Sequence, residues 1–237
     1  MTWSIVARDA DGAFGVAVAS RFFAVGALCP NARSGIGALS TQALVNPGYG
    51  PSGLDLLEGG VAAADAVARL VAGDQGREHR QVHLIDQRGR CAAHTGALCI
   101  DWCGDRAHDG FSVAGNMLSG PRVLEDTARA YQAHAAAPFA ARLLAAMAAG
   151  EAAGGDKRGK QAAALLIHTT EIYPFLDLRV DDHPDPIAEL KRLYQVSLER
   201  YQPFLACLPS AARPAGITDR AAIEAEVERF QEARRQR

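Results

Sequence analysis

The residue type best suited to do chemistry without help stands second in the chain. Thr2 is small enough for Met1 to be removed during maturation, which would leave it with a free α-amino group. Such an amine has an unperturbed pKa of about 7.7 to 8.0 and can take the proton of the same residue's hydroxyl, so one residue serves as both nucleophile and base. Ser4 lies two residues on and therefore on the same face of a strand. Its hydroxyl is the alternative nucleophile, and it requires either removal of Thr2-Trp3 by autoproteolysis or an internal base that the sequence does not single out. Thr2 needs only removal of Met1 and is the preferred reading. Trp3, on the opposite face, reads as a core anchor between layers.

Other clusters are weaker. Cys91, His94, Cys99, Cys103 and His108 fall within eighteen residues. Structural zinc sites favour close Cys pairs in loops, and only Cys99 and Cys103 meet that spacing, while Cys91 falls in a strand. Buried thiols and no metal are expected. His79 and His83 are four apart, but Gln81-Val-His-Leu-Ile85 reads as strand rather than helix. Gly155-Asp-Lys-Arg-Gly159 lacks the spacing of a phosphate-binding loop and reads as a charged turn. Asn46 in Asn46-Pro-Gly-Tyr-Gly50 and Asn116 in Gly115-Asn-Met117 are amides in turn-like surroundings, where Asn either donates to an oxyanion or closes an Asx-turn.

The elements that must position these groups follow from periodicity. Two β-like runs, Trp3 to Arg8 and Phe14 to Ala19, flank Asp9-Ala-Asp-Gly12, a hairpin signal. Ala24 to Cys29 and Gly35 to Gln42 are further strand candidates. Helical spacing follows, with Ser52 as a cap, Leu54, Leu56 and Leu57 in one turn, Gly59-Gly60 as a break, and Ala62 to Val71 as a second helix. Three strands come next, at Gln81 to Asp86, Arg90 to Thr95 and Phe111 to Asn116. An Ala-rich stretch from Val123 to Ala153 is split by Pro138 into two helices and ended by Gly154-Gly155. Strands at Gln161 to His168 and Phe175 to Val180 precede a long amphipathic helix that starts at Asp185-Pro186 and runs to Leu205. A Pro- and Ala-rich linker leads to a charged final helix from about Thr218. This order of blocks differs from the alternation of doubly wound proteins and fits two packed sheets covered by helix pairs.

Composition narrows the class. Of 237 residues, 49% are hydrophobic and 22% charged, enough for a sizeable core. Twenty-five Lys and Arg against 27 Asp and Glu leave a formal charge of −2 and no polybasic stretch, which argues against nucleic-acid and anionic-membrane partners. The apolar N-terminal stretch is broken by Arg8, Asp9, Asp11 and Arg21, so neither a membrane span nor a signal peptide is expected. Five cysteines, an odd number spread thinly, fit reduced thiols in a cytoplasm.

Several blocks then occur together and in order: Thr2-Trp-Ser-Ile-Val-Ala-Arg-Asp9, Gly15-Val-Ala-Val-Ala-Ser-Arg-Phe-Phe-Ala-Val-Gly26, Thr41-Gln-Ala43, Asn46-Pro-Gly-Tyr-Gly-Pro51, Gly115-Asn-Met-Leu118, Gly155-Asp-Lys-Arg-Gly159 and Asp181-Asp-His-Pro-Asp185. From Thr2 to about residue 200 the chain resembles the domain-of-unknown-function 1028 family, which is assigned to the N-terminal nucleophile hydrolase superfamily. The resemblance implies an α+β fold, a four-layer αββα sandwich of two antiparallel sheets over residues 1–206, with a helical arm at 207–237. It implies Thr2 as nucleophile and Ser20-Arg21 as the hairpin segment facing it. Arg21 would then lower the amine's pKa or grip a substrate carboxylate. It promotes Asp156 and Lys157 as substrate contacts, which join Ser20 and the two amides Asn46 and Asn116 as the expected substrate-binding set. The implied activity is hydrolysis of a small amide without metal or organic cofactor. A polar substrate bearing a carboxylate is expected from Arg21, Lys157 and Arg158. The alternative is a non-catalytic scaffold that binds a metabolite or partner. Apolar stripes on the helices of residues 186–237 suggest a homo-oligomer.

Overall fold

The structure is a computed structural model that describes residues 2–236. Ten strands and seven α-helices alternate in blocks among the described residues. The first hairpin is β1 (Thr2–Arg8) and β2 (Phe14–Ser20), in register from Trp3↔Ala19 to Arg8↔Phe14. Its turn is closed by Asp9, whose Oδ1 accepts from the Ala13 amide at 2.8 Å, and by Gly12 at φ 90°, a conformation that side chains resist. The remaining strands are β3 (Pro30–Arg33), β4 (Gly37–Ala43), β5 (Arg80–Asp86), β6 (Cys91–Thr95), β7 (Gly104–His108), β8 (Phe111–Asn116), β9 (Ala162–His168) and β10 (Leu176–Val180). They build a six-stranded antiparallel sheet in the order β10-β9-β2-β1-β8-β7 and a four-stranded one, β3-β4-β5-β6.

Helices α1 (Tyr49–Glu58) and α2 (Ala63–Ala72) cover the outer face of the small sheet. There Leu39, Val82 and Leu84 pack against Leu54, Leu57, Ala66, Val67 and Leu70. Helices α3 (Arg122–Ala133) and α4 (Phe139–Ala152) cover the large sheet. The two sheets face one another, and half of that interface is apolar, with Val6, Phe14 and Val16 against Ala38 and Ile85. The result is the expected α+β sandwich of helix, sheet, sheet and helix layers.

Local departures have physical causes. The expected strand at Ala24 to Cys29 is a 3-10 turn at Val25–Ala27 that follows Ala24 at φ 53°, and the strand begins only at Pro30. Val25 and Cys29 instead plug against Val18, Ala162 and Ala164, and Gly26 comes so close that a Cβ there would lie 2.5 Å from the Ala164 Cβ. Strand β7 is missing from the sequence reading because Gly-Asp-Arg-Ala-His carries no apolar alternation. It is an edge strand paired only with β8, with Arg106 and Ala107 exposed. Helix α1 starts at Tyr49, with Gly48 at its cap, so Ser52 lies inside it rather than capping it.

The chain divides into two compact units, Met1–Leu190 and Lys191–Arg237. The expected long helix is broken into α5 (Pro186–Ser197) and α6 (Tyr201–Leu205). Pro203 explains the break, since in a continuous helix its ring would meet the carbonyl four residues back and no N–H would be there to bond it. Within the second unit, α7 (Arg220–Arg235) is capped by Asp219, which accepts from the Ala222 amide at 2.8 Å, and Gln231 Nε2 donates to the carbonyls of Leu198 and Glu199.

Trp3 anchors the large sheet to its helices as its position on the strand suggested. It is buried, and α4 approaches it at Gly150, where a Cβ would sit 2.7 Å from Trp3 Nε1 and 2.3 Å from Thr127 Oγ1. Gly150→Ala adds about 1 kcal/mol of intrinsic helix propensity but forces α4 away from β1. The expected outcome is a net loss of about 1 to 3 kcal/mol, read as a lower urea midpoint; a higher midpoint would show that the contact is slack.

Candidate functional site

Strand parity explains why one end of the sheet interface is polar. On β4 the inward positions are Ala38, Ser40 and Gln42, and on β5 they are Gln81, His83 and Ile85, while the intervening residues face the helices. The opposing strands contribute Thr2 and Ser4 from β1, and Ser112 and Asn116 from β8. All eight polar side chains are buried, and apart from Thr2 at 5% none is more than 1% exposed.

The hydrogen bonds among them fix which atom is which. Gln81 Nε2 donates to the backbone carbonyls of Gly115 (2.9 Å) and Gly104 (3.1 Å) and approaches Thr95 Oγ1 (2.9 Å). Carbonyls only accept, so Gln81 Oε1 must face the other way. There it accepts from Gln42 Nε2 at 2.8 Å and Asn116 Nδ2 at 3.0 Å. Gln42 Oε1 in turn accepts from Ser4 Oγ at 2.7 Å and Ser40 Oγ at 3.1 Å. The same two amide nitrogens, Gln42 Nε2 and Asn116 Nδ2, converge on the carbonyl oxygen of Thr2, each at 3.5 Å. The Thr2 hydroxyl donates to Ser20 Oγ at 3.3 Å.

Ser4 has a histidine within reach, 2.7 Å from Oγ to His83 Nε2, the arrangement of a nucleophile and its base. Proton bookkeeping gives it another role. Ser4 owns one hydrogen, and the 2.7 Å contact with Gln42 Oε1, an atom without hydrogens, holds it there. His83 Nε2 therefore carries its hydrogen and donates to Ser4, and Nδ1 accepts from Ser112 Oγ at 3.1 Å. Burial pushes the imidazole pKa down to about 3, so it stays neutral. Ser4 is sealed at 0% exposure, and the pair joins the sheets.

The other residues singled out in the sequence fall into three groups. Ser20 and Asn116 contact Thr2 directly. Arg21, Asp156 and Lys157 form a loop cluster at the same end of the sandwich. Asp156, buried, accepts from the backbone amides of Arg21 and Arg158, both at 2.8 Å, and bridges to Leu118 just beyond β8. Arg21 Nη1 donates to the Arg158 carbonyl at 2.6 Å, and Lys157 Nζ to the Asp101 carbonyl at 2.8 Å. Asn46 belongs to neither group. Its Oδ1 accepts from the Gly48 amide at 3.1 Å, an Asx-turn, and its Nδ2 donates to Asp74, which also binds Tyr49 and Arg80. The hydrogen bond from Tyr49 leads the set that holds the Asp74 carboxyl well below the usual carboxylate range.

Sequence reasoning missed Gln42, Gln81, His83, Ser40 and Ser112. Their signal was present as polar side chains at every second position of otherwise apolar strands. Among the described residues no group of three His, Cys, Asp or Glu side chains is arranged to hold a metal ion. The five cysteines are free, and burial raises the thiol pKa to about 12 at Cys29 and Cys91 and to about 11 at Cys99. No described helix is long and apolar enough to cross a membrane.

The profile of a family of unknown function, DUF1028, matches residues 2–190. The crystal structure of a Silicibacter pomeroyi protein of the same family aligns with a TM-score of 0.85 at 33% identity, over 92% of this chain and 96% of that one. Anbu (ancestral beta-subunit) from Yersinia bercovieri aligns at 16% identity and a TM-score of 0.35 over 88% of this chain and 98% of its own. The Anbu (Gly-1) mutant from Hyphomicrobium sp. strain MC1 gives 12% and 0.35 over 85% and 97%. Scores at that level carry no argument about this chain. No curated protein matches it.

Sealing a neutral histidine between the sheets makes stability depend on pH. The unfolded chain protonates this imidazole near pH 6.5, the folded one only near 3, so between those values the unfolded state binds the extra proton. Stability is therefore fully present above about pH 6.5 and declines as pH falls toward 3, by about 1.4 kcal/mol per unit. Urea titrations at pH 7 and pH 5 should show His83→Gln with a smaller loss between the two pH values than the wild type; equal losses would refute the assignment.

Proposed function

From a chain that belongs to the DUF1028 family, we propose an N-terminal nucleophile amidohydrolase in which Thr2, once Met1 is removed, attacks a substrate amide. The observation that carries this reading is the convergence on residue 2. Two amide donors from opposite sheets aim at its carbonyl, and its hydroxyl is held by Ser20. A first strand residue whose carbonyl is held from both sheets and whose hydroxyl is held by Ser20 is preorganised for attack in a way that a solvent-facing threonine is not. Met1 itself lies outside the described residues.

In the proposed sequence the freed α-amine takes the hydroxyl proton as Thr2 Oγ1 adds to the amide carbonyl. The same proton passes to the leaving nitrogen as the C–N bond breaks, which releases an amine and leaves the acyl group on Thr2 as an ester. Water, deprotonated by the amine, then releases the acid and restores the hydroxyl. No metal or organic cofactor takes part, because nucleophile and base share a residue. Gln42 and Asn116 position Thr2, and Arg21 and Asp156 hold the loop that flanks it. Ser4 is the poorer nucleophile because its hydrogen is committed to Gln42 and its base nitrogen carries a hydrogen of its own.

The test begins with intact mass and N-terminal sequencing, for which a chain starting at Thr2 is expected. Screening a library of primary and secondary amides should then yield turnover that Thr2→Ala lowers by at least about 1,000-fold and Thr2→Ser retains in large part, with circular dichroism unchanged. Retained Met1, or a Thr2→Ala protein with undiminished turnover, would replace this reading with that of a binding protein.

A further inference from the structure

The cavity next to Asn116 has the wrong chemistry for the carboxylate-bearing substrate expected from the sequence. It encloses about 310 Å³ and is walled by Leu44, Leu98, Ile100 and Met117, with Asn116 and His79 as its polar members. Asn116 is the register partner of Thr2 and donates to its carbonyl at 3.5 Å, so one side chain separates the cavity from the residue proposed to react. Leu44, Leu98 and Ile100 are 63%, 58% and 57% exposed, large apolar side chains that pack into no core.

The walls are built before any ligand arrives. The Leu44 amide donates to the His79 carbonyl at 3.1 Å, Leu98 to Glu78 at 2.8 Å and Met117 to Ile100 at 2.8 Å. Glu78 Oε2 also accepts from the Ala97 amide at 3.1 Å. These loops satisfy their backbone groups among themselves and present side chains to the cavity, which is how a preformed site keeps its ordering cost low. No described Arg or Lys lines the cavity, and the cations of the neighbouring loop hold protein acceptors, Arg21 the Arg158 carbonyl, Lys157 the Asp101 carbonyl and Arg158 the Asp156 carboxylate. Asn116, 1% exposed, lines the cavity, and its Oδ1 accepts no hydrogen bond among the described residues, which leaves one buried acceptor for an amide N–H.

We infer that this cavity binds the uncharged, apolar acyl group of the amide substrate, a straight chain of about five or six carbons or a phenylacetyl group. The inference rests on Thr2 as the nucleophile, because the acyl group is the part of the substrate that stays through both half-reactions. At about 310 Å³ the cavity stands at the small end of ligand pockets, which run from about 300 to 1,000 Å³, and so suits a short acyl group rather than a long chain. Burying each methylene strengthens binding by up to about fourfold.

The test uses the full chain carrying Thr2→Ala, which binds without turning over, titrated by calorimetry with hexanamide, acetamide and succinamate. Hexanamide should bind at least tenfold more tightly than either of the others, and Leu98→Asp or Ile100→Asp, both at exposed positions, should remove that preference with the circular dichroism unchanged. Equal affinity for the three, a preference for succinamate, or a preference that survives both Asp variants would overturn the inference and leave the nucleophile reading standing. In parallel, wild-type protein should release hexanoate from hexanoyl anilide faster than acetate from acetanilide. Selective binding without any hydrolysis by the wild type would instead sink the Thr2 reading and, with it, the acyl assignment.

Discussion

The side-chain amide of Gln81 is the joint on which the site depends. Its nitrogen is fixed by two backbone carbonyls, and those bonds leave its oxygen to receive Gln42 and Asn116. From there the direction of every further bond is set, through Gln42 to Ser4 and through Ser4 to His83. Leaving any one of these buried groups unpaired would cost about 1 to 3 kcal/mol, so the network behaves as a unit and holds the two sheets in one lateral register. Purely apolar packing, as in the other half of the interface, has no such directional preference.

That rigidity is concentrated where the chemistry is proposed. The N-terminal end of β1 meets the C-terminal ends of β2, β4 and β8 there, so Thr2, Ser20, Gln42 and Asn116 come from four different strands. The loops that leave this end serve two purposes. The segment around Asp156 uses its charges to tie β2 to the chain beyond β8. The segments around Leu44 and Leu98 tie their backbones together and expose apolar side chains. Charge maintains the frame and apolar surface is left for a ligand, the reverse of what a count of nearby Arg and Lys suggests.

A Ser and His at 2.7 Å invite a catalytic reading that the rest of the network withdraws. What decides is the third partner, Gln42, whose orientation is set through one intervening side chain, Gln81, by the Gly115 and Gly104 carbonyls. A hydroxyl with one hydrogen has one donation to make, and the geometry assigns it.

Much was legible in the sequence because it is local. The Asp9-Ala-Asp-Gly12 turn, the period-two runs of β1, β2, β5 and β8, the Pro138 split and the start of the last helix near Thr218 all follow from neighbours a few residues apart. So do the block order of the sandwich and the placing of Thr2 and Ser4 on one face. The edge strand β7, the plug at Val25–Ala27 and the break before Tyr201 were obscure, since pairing with β8, close approach to β9 and the reach of a proline ring matter more there than hydrophobic pattern. The site was half legible. The sequence by itself determined that Thr2 and Ser4 share one face of their strand, as Gln81 and His83 share one face of theirs, because strand parity is a property of the backbone. Only the tertiary structure decided that these faces meet, which way each amide points, and that Arg21 and Lys157 turn to backbone carbonyls, because those outcomes depend on atoms brought together from strands scores of residues apart.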